Sequence, residues 1–119
     1  MNIENEYFTF KKQLENEIKT FKHFKYDLDI TKMSEEQLDA RNRGLKSSEE
    51  AVNETCEILE EIKVELYDYI YNGGEVSKET IETLSIDLHQ DLTFFKAKEL
   101  DEYDKELLNG KVEFLESLI

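Results

Sequence analysis

The stretch that decides the fold is residues 50–69, EAVNETCEILEEIKVELYDY, in which apolar and acidic side chains each recur every three or four positions. This spacing is the period of an α-helix, so the two sets fall on different faces. The apolar set is typical of a helix that packs against partner helices. We call it the seam, and it comprises Val52, Thr55, Leu59, Ile62, Leu66 and Tyr69.

The opposite face of this predicted helix is a row of acids that no base interrupts. Like charges at this spacing cost about 0.2–0.5 kcal/mol per pair, which alternating glutamate and lysine would have avoided. The cost points toward a binding role, and the alternative, a solvated face that only aids solubility, stays open. We call the row the acidic stripe: Glu50, Glu54, Glu57, Glu61, Glu65 and Asp68.

Composition predicts helix in the rest of the chain as well. Proline is absent and only four glycines occur, so the strongest helix breakers are nearly missing. We predict an all-α, single-domain bundle of three to five helices over residues 1–119, with a first helix at about residues 4–25. Breaks are predicted at residues 72–74 and 109–110. A short β-hairpin around residues 69–76 is the alternative that the Asn-Gly-Gly sequence leaves open.

Two capping boxes are predicted before the seam. Ser34 with Gln37 forms one, and Ser47 with Glu50 forms the other, shortly after a glycine. Residues 34–72 therefore form either two helices or one long helix.

The net charge of −14 lies in the last two-thirds of the chain. Residues 1–33 hold equal numbers of acids and bases, residues 34–72 hold eleven acids against four bases, and residues 73–119 hold twelve against five. Such a field repels nucleic acid and anionic membranes and attracts basic protein surfaces. We expect neither nucleic acid nor membrane to be bound directly. The later acids include a second group, the C-terminal cluster: Glu99, Asp101, Glu102, Asp104 and Glu106.

No pattern in the sequence indicates catalysis or a cofactor. His23 and His89 lack the acid three residues earlier that a di-iron bundle requires, and Asp87 and Asp91 would converge with His89 only on a strand. Cys56 has no base nearby to activate it, so we expect a buried thiol at the edge of the seam. We therefore expect no catalytic residues, no metal, no cofactor and no enzymatic activity.

The location expected from the sequence is the cytoplasm. The first ten residues lack the basic start and apolar run of a signal peptide, and no stretch approaches the ~20 apolar residues of a membrane span. A lone cysteine fits a reducing compartment. Thirteen lysines against two arginines are typical of an AT-rich genome, which favours a bacterial or phage-infected host cell.

In size, acidity and predicted helicity, the chain resembles the small proteins by which phages block host nucleases. These include antirestriction DNA mimics and anti-CRISPR proteins. Residues 83–91 are similar to a segment of one antirestriction family, but their residue types are common and we assign no family. The resemblance implies an inhibitor that acts by binding.

Charge and resemblance lead to one leading hypothesis, a non-enzymatic inhibitor or regulator. Its acidic helical face would bind a partner protein and occlude a basic nucleic-acid-binding surface, as on a nucleic-acid-processing enzyme. The stripe places one charge per ~5 Å, compared with one per ~3.4 Å along a DNA strand. The alternative is a structural or adaptor protein, of immunity or secretion-accessory type, that binds through the seam. Assembly into a homo-oligomer is left open.

Overall fold

A computed structural model describes residues 2–92 and 101–119. Over these ranges the protein is all-α, as predicted, with four α-helices and no strand. In the same ranges, no helix is both long and apolar enough to cross a membrane. The helices and helical turns are α1 (Ile3–Lys22), a π-helical turn (His23–Asp27), a 3-10 turn (Ile30–Lys32), α2 (Glu35–Tyr71), α3 (Lys78–Gln90) and α4 (Glu102–Ser117).

Internal contacts divide the chain into two compact units, Met1–Val64 and Glu65–Ile119. The first unit contains α1, the two short turns and most of α2. The second contains the last turns of α2 together with α3 and α4, which pack against each other. The single-domain organisation expected from chain length stays a prediction.

α2 is one helix of 37 residues, so of the two alternatives left open for residues 34–72 the single long helix is the one observed. Its start is the predicted capping box: the Gln37 N–H donates to Ser34 Oγ at 3.2 Å, and the Ser34 N–H donates to Gln37 Oε1 at 2.9 Å. The second predicted capping box, at Ser47, is wrong because the helix continues through it.

Gly44 serves close packing in the middle of α2 and does not end a helix. A Cβ at this position would lie 2.6 Å from Cε1 of Phe24, so the aromatic ring rests directly on the helix backbone. Phe24 belongs to the π-helical turn that follows α1. One turn earlier on α2, Arg41 Nε donates to the Phe24 carbonyl oxygen at 2.9 Å. These contacts join the end of α1 to α2.

α2 ends in a Schellman motif, so the hairpin around residues 69–76 is wrong. Gly73 has a φ of 91°, and its N–H donates to the Ile70 carbonyl at 3.1 Å. The Gly74 N–H donates to the Tyr69 carbonyl at 2.8 Å. This pair of hydrogen bonds satisfies the last carbonyls of a helix, and a glycine enters the left-handed conformation without steric cost.

α3 and α4 begin at side-chain caps. Ser77 and Asp101 each accept a hydrogen bond from the backbone N–H three residues later, at 3.2 and 2.8 Å. α4 then runs through Asn109 and Gly110, so the break predicted there is wrong. Glycine weakens a helix by only about 1 kcal/mol, which tertiary packing of the remaining helix offsets.

Most residues of the seam lie on the buried face of α2, as predicted. Val52 is half-buried, but Tyr69 is exposed, so its assignment to the core is wrong. A strict three-and-four alternation repeats every 3.5 residues and drifts by ~20° per heptad on a 3.6-residue helix. By the end of α2 the core positions have therefore passed to Tyr67 and Ile70. The buried seam residues are Thr55, Leu59, Ile62 and Leu66.

Truncation of the seam should be costly. Leu59→Ala and Leu66→Ala should each lower the free energy of unfolding by about 2–5 kcal/mol, because each leaves a cavity among buried side chains. Urea denaturation followed by circular dichroism measures the change. Val64→Ala is the matched control on the same helix, since Val64 is exposed, and it should change stability by less than about 0.5 kcal/mol. Equal losses for Leu66 and Val64 would contradict the assignment of the core.

The two helical glycines should respond oppositely to alanine. Among the described residues, no atom lies within 4 Å of a Cβ added at Gly110, so Gly110→Ala should stabilise the protein by about 0.5–1 kcal/mol. Gly44→Ala should destabilise it by about 1 kcal/mol or more, because the methyl group displaces the Phe24 ring. Thermal melts of both variants provide the comparison. A stabilised Gly44→Ala would show that the close approach of Phe24 is not needed.

Candidate protein-binding face

All six residues of the acidic stripe are exposed on α2. Among the described residues, none of the six carboxylates takes part in an ion pair. Their negative charge therefore stays uncompensated by bases in the described part of the chain. The helix carries Glu50, Glu54, Glu57 and Glu61 in the first unit, and Glu65 and Asp68 in the second.

A partly buried hydrogen-bond network fixes which face of α2 points outward in the first unit. Thr55, on the seam, donates from Oγ1 to Glu17 Oε2 on α1 at 2.7 Å. Gln13 Nε2 donates to the other oxygen of the same carboxylate at 2.8 Å and to Thr55 Oγ1 at 3.2 Å. Because the network ties the seam side of α2 to α1, the side that carries the stripe faces solvent.

Lys63 is buried on α2, away from the stripe. Its Nζ lies 3.2 Å from Oε1 of Glu60, an acid that does not belong to the stripe. A buried ammonium needs such a partner, because an unpaired charge in the interior carries a large desolvation penalty. Lys63 therefore takes no part in the exposed row, and an exposed base of α2, Lys46, lies one turn before Glu50.

Two exposed apolar residues flank the acids in the first unit. Ile58 lies one turn beyond Glu54, and Val64 lies nearly one turn beyond Glu61, on the other side of the row. Sequence analysis missed both, since they lie outside the seam. The sequence did contain a signal for them, because each lies three or four residues after an acid of the stripe. Single exposed apolar residues are common on protein surfaces, so these two add apolar area beside the acids without marking a binding site by themselves.

Most acids of the C-terminal cluster stabilise the start of their own helix, which the acids of the stripe do not. Asp101 is the N-cap of α4, and Glu102 and Asp104 lie in its first turn, where the helix dipole favours acids. Glu106 lies beyond that turn and is exposed. Glu99 lies outside the described residues. The cluster therefore adds acids to the surface, but three of them already stabilise a helix start.

Cys56 is exposed, so the expectation of a buried thiol is wrong. It follows Thr55 by one residue, and the 100° turn per residue carries its side chain past the edge of the seam. His23 and His89 are both on the surface, as expected. Within residues 2–92 and 101–119, no group of three or more His, Cys, Asp and Glu side chains is arranged to hold a metal ion.

No protein-family model matches the chain, and comparisons with curated proteins and with solved structures also found no match.

Loss of the Thr55 hydroxyl should loosen α1 from α2. Thr55→Val should lower the free energy of unfolding by about 1–3 kcal/mol, since a carboxylate loses a donor in a partly buried site. Chemical denaturation measures the effect, and a cycle with Glu17→Gln isolates the pair. Thr20→Val is the control, because the exposed Thr20 donates only to a carbonyl of its own helix. A coupling energy near zero would contradict the network.

Proposed function

We propose that the protein is a non-enzymatic inhibitor or regulator that binds a partner protein through the acidic stripe. The stripe would cover a basic surface by which that partner binds nucleic acid. The observation that carries the proposal is the exposure of Glu50, Glu54, Glu57 and Glu61 on one helix face without ion pairs among the described residues.

The mechanism follows from rigidity and charge. A helix holds its carboxylates at fixed spacing before binding, so little backbone entropy is lost when they replace phosphates against lysine and arginine. Opposite charge also steers the two proteins together and speeds association at low salt. Inhibition would then be competitive with nucleic acid, because both ligands need the same cations on the partner.

Apolar contacts are needed as well, because exposed ion pairs contribute little net affinity. Ile58 lies beside Glu54 and Glu61, and Val64 lies beside Glu61. Both supply apolar area that a partner would remove from water. In such an arrangement the charges determine specificity and association rate, and the apolar contacts slow dissociation. The same division between charge and apolar area is found in many protein interfaces.

The alternative function, an adaptor that binds through the seam, has less support. Thr55, Leu59, Ile62 and Leu66 are already buried within the protein. A partner could reach them only after α2 separates from its neighbours, which would expose the core. The acidic stripe needs no such rearrangement, so it is the better candidate for the binding surface.

Charge reversal of the stripe tests the proposal. A Glu54→Lys, Glu57→Lys, Glu61→Lys variant should fold, with relief of like-charge repulsion offsetting part of any loss. Immobilised wild-type protein should retain from a bacterial lysate a nucleic-acid-binding enzyme that competing duplex DNA releases. The triple variant should not retain that enzyme. Raising salt from about 0.1 M to about 1 M, which shortens the Debye length from ~10 to ~3 Å, should also release it.

A variant with the same change of net charge provides the control. Glu15, Glu75 and Glu116 are exposed acids outside the stripe, and their reversal to lysine should leave retention unchanged. Loss of retention in both variants would mean that total charge matters rather than the stripe. If the stripe variant retains the same enzyme as wild type, the stripe is only a solvated surface.

A further inference from the structure

α4 has a second apolar face in addition to the one that packs inside the second unit. Its inner face buries Val112 and Leu115. On the other side, one face collects residues at steps of four, three, four and four, the spacing of a helical stripe. We call this face the apolar strip, and it consists of Tyr103, Leu107, Gly110, Phe114 and Leu118.

The apolar strip is open to solvent over most of its length. Tyr103 is 67% exposed, Leu107 51% and Leu118 46%, while Phe114 is half-buried. An added Cβ at Gly110 would meet no atom of residues 2–92 and 101–119 within 4 Å. A row of large apolar side chains at helical spacing is unusual on a free surface and is typical of a surface that another chain covers.

The strip continues onto the end of α2 within the same unit. The Phe114 ring lies 5.1 Å from the Tyr71 ring and 6.0 Å from the Tyr67 ring, measured between centroids. Tyr71 is 61% exposed, so it widens the apolar area, whereas Tyr67 is buried beneath Lys111, whose Nζ lies 5.0 Å from its ring. Phe114 is thus the centre of a patch contributed by two helices.

Acids border this patch on two sides, and one base, Lys111, lies at its edge beside Tyr67. On α4, the positions before Tyr103, Leu107 and Phe114 are acidic and exposed: Glu102, Glu106 and Glu113. Beyond Tyr71 on α2 lies the exposed Asp68. Burial raises the pKa of the Tyr67 hydroxyl, and the charges of Tyr71 and Asp68 raise it further. The electrostatic field of the Asp68 carboxylate therefore extends to Tyr67.

We propose that the apolar strip with Tyr71 is a docking surface for a basic amphipathic helix. Apolar side chains of the partner helix would rest on Leu107, Phe114 and Leu118, and lysines or arginines on its flanks would reach the acids on either side. Gly110 leaves room for the partner backbone to approach closely, as small residues do in close helix pairs. This surface lies in the second unit and is separate from the four stripe acids of the first.

Charge decides between such a partner and a second copy of the chain. Each copy carries a net charge of −14, so two copies repel. In an antiparallel pairing of α4 with itself, Glu106 of one copy would face Glu113 of the other. A basic helix is attracted to these acids, which outnumber the one base at the edge of the patch, so it is the better occupant.

Synthetic peptides test the chemistry of the occupant. The probe is a fluorescein-labelled peptide of leucine and lysine, 16 residues long like α4, with leucines at helical spacing. Fluorescence anisotropy should show that it binds the wild-type protein at least about tenfold more tightly than a scrambled peptide of the same composition. A peptide with glutamate in place of lysine should not bind. Equal binding of the scrambled peptide would overturn the proposal, because charge alone would then suffice.

Variants locate the site. Leu107→Gln with Leu118→Gln should weaken binding of the leucine–lysine peptide at least about tenfold, whereas Ile30→Gln with Ile86→Gln, at similarly exposed positions elsewhere, should not. Gly110→Gln should leave the melting temperature unchanged or higher, since glutamine favours helix over glycine, yet weaken binding by obstructing close approach. Equal weakening by the control pair would overturn the assignment of the site.

Sedimentation velocity tests whether a second copy of the chain covers this surface instead of a basic helix. Wild-type protein should remain monomeric at the concentrations used for anisotropy. If the wild type self-associates and the variant with Leu107→Gln and Leu118→Gln does not, a second copy of the chain occupies the surface. That result would overturn the proposal.

Discussion

The hydrogen bond from Thr55 to the Glu17 carboxylate fixes the orientation on which the surface of the first unit depends. It joins α1 to the seam side of α2 at 2.7 Å, and Gln13 orients the acceptor. Since each residue of a helix advances by 100°, a rotation of α2 by one position would bring acids toward the core. The apolar seam favours a broad range of orientations, whereas a directional polar contact selects one.

Packing of the seam contributes more to the free energy of folding than the repulsion along the acidic stripe costs. The repulsion along the acidic stripe amounts to about 1–2 kcal/mol in total, less than the burial of one large aliphatic side chain of the seam can offset. The sequence of the exposed face is therefore nearly free of folding constraints. The fold tolerates both the row of exposed acids on α2 and the exposed apolar side chains on α4.

Periodicity predicted most of the fold because it reports which face of a helix is buried. It located α1 and the seam, and it placed the acidic stripe on the exposed side, while a capping box located the start of α2. Glycine misled the prediction at Gly110 and left it open at Gly44, because a glycine that ends a helix and one inside a helix are identical in sequence. Phe24 distinguishes them, but it lies 20 residues away along the chain. The identity of a partner depends on a second molecule, so no pattern in this chain contains it.

The contact between Phe24 and α2 also couples the local stability of two segments. The aromatic ring rests on the backbone at Gly44, and the guanidinium of Arg41 binds the Phe24 carbonyl, which belongs to the π-helical turn after α1. Helix ends usually fray, because their last carbonyls lack intrahelical partners. Here fraying of α1 would also uncover the backbone of a neighbouring helix, so the two segments should open and exchange their amide hydrogens as one cooperative unit.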